Sequence, residues 1–195
     1  MLYFEASLTE QEEKARDIMI YLFNPVLKFI LMESNPKEFA RYGYNSCRQT
    51  AILGAGYLRK LLPDYELSVY EGSFIEKING EHTPYTHAFI IASKGNRNLV
   101  IDLSRTTKRL LFQETNDNMI YPEIEDYDDV VKIGQERLDL DDLLNTDCPE
   151  YFTGWKPSKF MEVISEMIDA LKAKSTKRQL EFCDYIYFQT TKLRR

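Results

Sequence analysis

The chain reads as a single α+β domain in which helices pack on a small antiparallel sheet. Three stretches predict this. Behind Cys47, the residues Ala51, Ile52, Ala55, Leu58, Leu61 and Leu62 recur at steps of three and four, the period of one helix face. Tyr85, His87, Phe89 and Ile91 alternate with Thr86, Ala88, Ile90 and Ala92, which is the period of a strand. Nearer the C-terminus, Phe160, Ile164, Met167, Ile168 and Leu171 mark one side of a second long helix.

Size and composition bound what such a domain can be. At 195 residues the chain suits one domain, 1–195, with a real core. Its 44% hydrophobic and 29% charged residues describe a soluble globular protein. A net charge of -6 argues against a nucleic-acid partner. No apolar run is long enough to span a bilayer, so no membrane association is expected. The start lacks a basic segment followed by an apolar one, so no signal peptide is read there. Three cysteines, odd in number and far apart, do not form a disulfide framework. A reducing cytoplasm fits these features, and a protein exported by a leaderless route would share them.

In chain order, 9–42 reads as helical. Thr9 and Glu12 make a capping box, and Ile18, Tyr21 and Leu22 fall on one face. Asn24-Pro25 interrupts that pattern. The apolar segment 26–32 is core, and Asn35-Pro36 restarts a short helix with Pro36 at its first position. A catalytic-like centre, 44–112, follows. Ser46 fits the N-cap of the helix behind Cys47, with Gln49 three residues on completing a second capping box, and Pro63-Asp64 stops it. Leu67 and Val69 alternate in a strand over 66–70. The segment 74–84, with Asn79-Gly80, reads as a loop overhanging the site and carrying His82. Two strands follow, around 85–92 and 99–103. Pairing Ala92 with Arg97 leaves the loop 93–96 and sets His87 directly opposite Asp102.

Beyond Asp102, 106–112 continues as strand or loop, and the acidic run 123–129 reads as a solvated loop without the spacing of a calcium loop. Val130 opens a possible strand over 130–133. The C-terminal helical region, 139–190, contains a short helix over 139–144, a helix capped by Ser158 that runs to Lys172, and an aromatic-rich stretch over 179–189. Cys148 precedes a proline without a visible base partner, and Cys183 reads as structural.

The chemistry concentrates in three side chains. Cys47 falls in the first turn of its helix, where free N–H groups and the positive dipole end favour an anion. His87 and Asp102 sit on adjacent strands, where an imidazole and a carboxylate can meet. Nucleophile, base and orienting acid in that order suit thiol chemistry. Each residue alone has a plainer reading: Cys47 as a small buried hydrophobe, His87 as a half-exposed strand residue, and Asp102 as a solvated strand end held by Arg105. His82 and His87 have no paired-ligand spacing, so no metal is expected, nor any cofactor.

This layout resembles the transglutaminase-like and papain-like Cys-His-Asp superfamily over about 44–105. His87-Ala88-Phe89 and Val100-Ile101-Asp102 stand where that pattern has a His-Ala-aromatic strand and a short strand ending in aspartate. The resemblance implies a nucleophile at the start of a core helix and neighbouring antiparallel strands for the other two. It assigns Cys47 as nucleophile, His87 as general base and acid, and Asp102 as orienter. Phe89 replaces the tryptophan of many relatives, and Leu103 the proline after their aspartate. The Arg-Gly-Gly lead-in of arylamine N-acetyltransferases is missing, and Arg41 lies where papain-like proteases carry an oxyanion glutamine. The Cys47 N–H is one oxyanion candidate, with Asn45 or Gln49 as a second. Tyr42, Tyr44, Tyr85 and Phe89 are candidates to wall a substrate groove. The implied activity is hydrolysis of a protein, peptide or other amide substrate through a thioester, as in a cysteine protease, amidase or glutamine deamidase. Transfer to an amine and a catalytically silent binding module of the same fold are the alternatives. The oligomeric state stays open.

Overall fold

Thr9 opens the first helix as the sequence predicts. Its Oγ1 accepts the Glu12 N–H at 3.3 Å, and its own N–H donates to Glu12 Oε2 at 2.6 Å. The computed structural model describes residues 8–34, 46–78, 81–104, 111–115, 130–145 and 156–173. Helix α1 (Glu10–Ile18) passes through a π-helical turn, Met19–Phe23, into α2 (Asn24–Ser34). The α-helical pattern is thus broken just ahead of Asn24-Pro25, while the chain stays helical through it. A proline ring collides with the carbonyl four residues back in a regular α-helix, and the wider turn just ahead of Pro25 relieves that crowding. The extra residue in the turn also rotates the apolar stripe. Ala15, Met19, Phe23, Val26, Leu27 and Ile30 face the core. Of the expected face, Ile18 and Leu22 only flank the core, and Tyr21 is 53% exposed.

Helix α3 (Cys47–Leu61) is the axis of the domain. Its residues 50–58 are all buried, so it is enclosed on every side rather than on the one face its spacing suggested. Two glycines allow this. A Cβ at Gly54 would lie 3.1 Å from Ile90 Cδ1 on the sheet side, and one at Gly56 would lie 3.2 Å from Leu144 Cδ2. Ser46 is at the N-cap, but its φ of -88° and ψ of 17° are not the extended conformation that turns a hydroxyl onto the helix end. It makes no side-chain cap bond, so the expected second capping box does not form.

Among the described residues, five strands form one antiparallel sheet: β1 (Glu66–Ile78), β2 (Glu81–Lys94), β3 (Arg97–Asp102), β4 (Leu111–Thr115) and β5 (Val130–Leu138). Their order is β4-β3-β2-β1-β5. The ladder between β1 and β2 continues to the pair Ile78–Glu81, so 74–84 is not an overhanging loop. His82 is an exposed strand residue opposite Lys77. Residues 79 and 80 lie outside the described residues. The β2–β3 hairpin also differs from expectation. Lys94 pairs with Arg97 around a two-residue turn, with Gly95 at φ +60°, where glycine is favoured. Ala92 consequently pairs with Leu99 rather than Arg97. The register moves by two residues, which keeps every side chain on its expected face. It also means that His87 is not directly opposite Asp102.

Helix α4 (Leu140–Asn145) is capped by Asp139, whose Oδ1 accepts the N–H groups of Asp141 and Asp142, each at 3.0 Å. Helix α5 (Pro157–Lys172) starts at Lys156 as N-cap, so Ser158 lies inside the helix rather than capping it. Pro157 takes the first helical position, where its missing N–H costs nothing. The buried side of α5 is Phe160, Ile164 and Ile168, with Met167 and Leu171 beside them. The short helix expected after Pro36, the acidic run 123–129, Cys148, and 179–189 with Cys183 lie outside the described residues. Among the described residues, no helix is long and apolar enough to cross a membrane.

Candidate active site

Cys47 is the first residue of α3. The first intrahelical bond at this end is Thr50 N–H to Ser46 C=O, at 2.9 Å, so the N–H groups ahead of it have no intrahelical acceptor. One of them, from Arg48, turns to the Cys47 sulfur. A second N–H reaches the sulfur from Ala88 on β2. The last β2–β3 pair is Ile90–Ile101, and Ala88 lies beyond it, where the two strands part. The helix end thus meets the sheet where a ladder stops and backbone donors become available.

His87 completes the sulfur's surroundings and hydrogen-bonds to it. The ring's Nε2 is 2.7 Å from Asp102 Oδ2, which leaves Nδ1 as the nitrogen for the thiol. Burial pushes the thiol pKa up, but the hydrogen bond and charge of His87, with the Ala88 and Arg48 N–H groups, outweigh it and hold the thiol below its ordinary value. Burial acts to lower the His87 pKa, while Asp102 and Cys47 more than reverse it, so the imidazole is held well above its ordinary value. The two shifts describe one coupled pair, in which each partner favours the charged form of the other.

Asp102 is 1% exposed, which overturns the reading of a solvated strand end. A buried carboxylate needs several donors. Besides His87 it has Ser104, whose N–H and Oγ–H both donate to Oδ1, at 3.0 and 2.8 Å. Ser104 had a local signal in the chain, since an aspartate bonding the N–H two residues on is a recognised turn. Relative to the expected register, His87 and Asp102 are a diagonal pair. Phe89 is the residue level with Asp102 by extension of the ladder. Diagonal neighbours on one face remain within reach of an imidazole.

A bidentate ion pair fixes the helix start to the sheet. Arg48 Nε and Nη2 donate to Glu71 Oε2 and Oε1 at 2.8 and 2.5 Å. Glu71 is buried and lies opposite Ala88. This pair had no local signal, because its members are joined only by the fold. Next to it opens a cavity of about 380 Å³, lined by Arg48, Glu71, Ser73, Thr86 and residues 134–136.

The expected groove residues fare differently. Phe89 is 1% exposed and stacks on Tyr70, with ring centroids 6.1 Å apart, so it packs the interior rather than walling a groove. Tyr85 lies on β2 opposite Phe74. Tyr42, Tyr44 and the oxyanion candidate Asn45 lie outside the described residues, as does Arg105. Gln49, the other oxyanion candidate, is the third residue of α3 and partly buried. The arrangement can hold a charge-separated thiolate and pass a proton between sulfur and imidazole. Comparison with family models, with curated proteins and with solved structures gave no match.

Proposed function

We propose that this chain is a thiol-dependent hydrolase of amide bonds, built and working in the manner of papain-like and transglutaminase-like enzymes. The observation that carries the reading is the continuous hydrogen-bonded relay from the Cys47 sulfur through His87 to Asp102. In this reading the thiolate attacks the amide carbonyl carbon, a C–S bond forms, and the carbonyl electrons move onto oxygen. The Cys47 N–H, with Gln49 or Asn45, is the candidate donor to that oxyanion. Collapse breaks the C–N bond, and the His87 imidazolium gives its proton to the leaving amine. Neutral His87 then takes a proton from water, which adds to the thioester and releases the acid and the Cys47 thiolate. Asp102 holds the ring in position through both transfers.

Alkylation with iodoacetamide at neutral pH tests the relay. Cys47 is expected to react well ahead of Cys148 and Cys183, and His87→Ala is expected to abolish that lead. Equally slow labelling of all three cysteines, unchanged by His87→Ala, rejects the proposal.

A further inference from the structure

We propose that the cavity beside the thiol is a subsite for a basic side chain, lysine or arginine, of a peptide substrate. The inference rests on the thiol-hydrolase reading and adds a substrate class to it. Position comes first. Arg48 follows Cys47, Thr86 precedes His87, and Glu71 lies opposite Ala88, whose N–H holds the sulfur. A group seated in the cavity therefore lies against Arg48 and Glu71, the pair that fixes the Cys47 end of α3 to the sheet. Its volume of about 380 Å³ is at the small end of ligand sites, which suits one side chain better than a cofactor.

Charge then chooses the occupant. Arg48 and Glu71 neutralise one another through their bidentate pair. Glu136 is exposed and has no ion-pair partner among the described residues, so it gives the lining a net negative charge. The rest of the wall offers acceptors. Ser73 and Thr86 are exposed hydroxyls paired across β1 and β2. Glu136, Glu71, Ser73 and Thr86 stand on one face of the sheet by the register of β1 with β2 and β5. A cation with several N–H donors matches the carboxylate and the hydroxyls together, and an anion meets only a cation already engaged with Glu71.

The test uses the full chain and two thiol reagents of the same reactive group and opposite charge, the ethylammonium and ethylsulfonate methanethiosulfonates. The rate of Cys47 modification by each is followed by mass spectrometry. Glu136→Gln is expected to lower the ammonium-to-sulfonate rate ratio by about threefold or more, the effect of one unit charge at several ångströms. Glu162→Gln, the same charge change on α5 away from the cavity, is expected to leave the ratio where it is. A ratio unmoved by Glu136→Gln overturns the subsite while leaving the hydrolase reading intact. Loss of the Cys47 lead over Cys148 and Cys183 overturns the hydrolase reading instead, whatever the ratio.

Discussion

At the scale of single residues, the site depends on what surrounds one carboxylate. Asp102 is desolvated, and His87 Nε2, Ser104 N–H and Ser104 Oγ–H satisfy its oxygens. Its charge favours the protonated imidazole, and His87 in turn lowers the thiol. The sign of a pH effect follows. Asp102→Asn removes the charge, the His87 pKa falls, and the thiolate forms only at higher pH. The midpoint of the Cys47 alkylation rate should therefore move upward, toward the ordinary thiol value of ~8.5. A pH series of iodoacetamide rates in both proteins checks this. Ser104→Ala removes one of the two Ser104 donors but keeps the backbone one. It should cost about 2 kcal/mol of stability, the usual range for a bond to a charged group, measured by urea denaturation. The Asp102-to-Ser104 spacing was legible as a local turn. The Arg48–Glu71 pair was not, because 23 positions of chain separate its members and only the packing of α3 on the sheet joins them.

At the scale of elements, face and register had different sources. Alternation fixed which side of β2 and β3 each side chain takes, because a one-residue slip would exchange core and solvent faces. The absolute register was set by the turn, and a two-residue turn at Gly95-Asn96 displaced the expected four-residue loop. The faces were therefore read correctly while the pairing of His87 with Asp102 changed from direct to diagonal. Close approach of α3 to the sheet is the other element-level feature. At Gly54 an added Cβ would press on the flexible tip of Ile90, and helix propensity gains about 1 kcal/mol from glycine to alanine. These effects oppose each other, so Gly54→Ala should lie within about 1 kcal/mol of the parent. Gly54→Leu overfills the same gap and should lose about 1–3 kcal/mol in denaturant titrations.

At the scale of the whole molecule, one cluster around buried Glu12 ties α1 to β3, β4 and the residue that leads into β1. Glu12 is 0% exposed and accepts from Arg97 Nε at 2.7 Å, from Arg97 Nη2 at 2.9 Å and from the Tyr65 hydroxyl at 2.5 Å. Arg97 opens β3 and also reaches Glu114 on β4 at 2.7 Å, while Tyr65 stands just ahead of β1. Burial works to raise the Glu12 pKa, but Arg97, Tyr65 and the Thr9 N–H together hold it at about 2. A depressed carboxylate stabilises the fold above its unfolded value of ~4.3 and loses that contribution as pH falls toward about 2. The loss amounts to about 3 kcal/mol by linkage. Urea denaturation at pH 5.5 and pH 2.5 should therefore show a steep fall in the parent. Glu12→Gln should be less stable at pH 5.5 and show a much shallower dependence.

Elements with local signals were legible in the chain: the Thr9–Glu12 cap, the helix behind Cys47, the alternation of β2, and the faces on which His87 and Asp102 stand. Each follows from interactions among residues a few positions apart. Tertiary structure decided the π-helical passage through Pro25, the enclosure of α3, the diagonal His87–Asp102 contact, the burial of Phe89 and the Arg48–Glu71 clamp beside the cavity. Those depend on which surfaces meet and how closely, and no short-range pattern in a chain encodes the distance between two elements that touch only after folding.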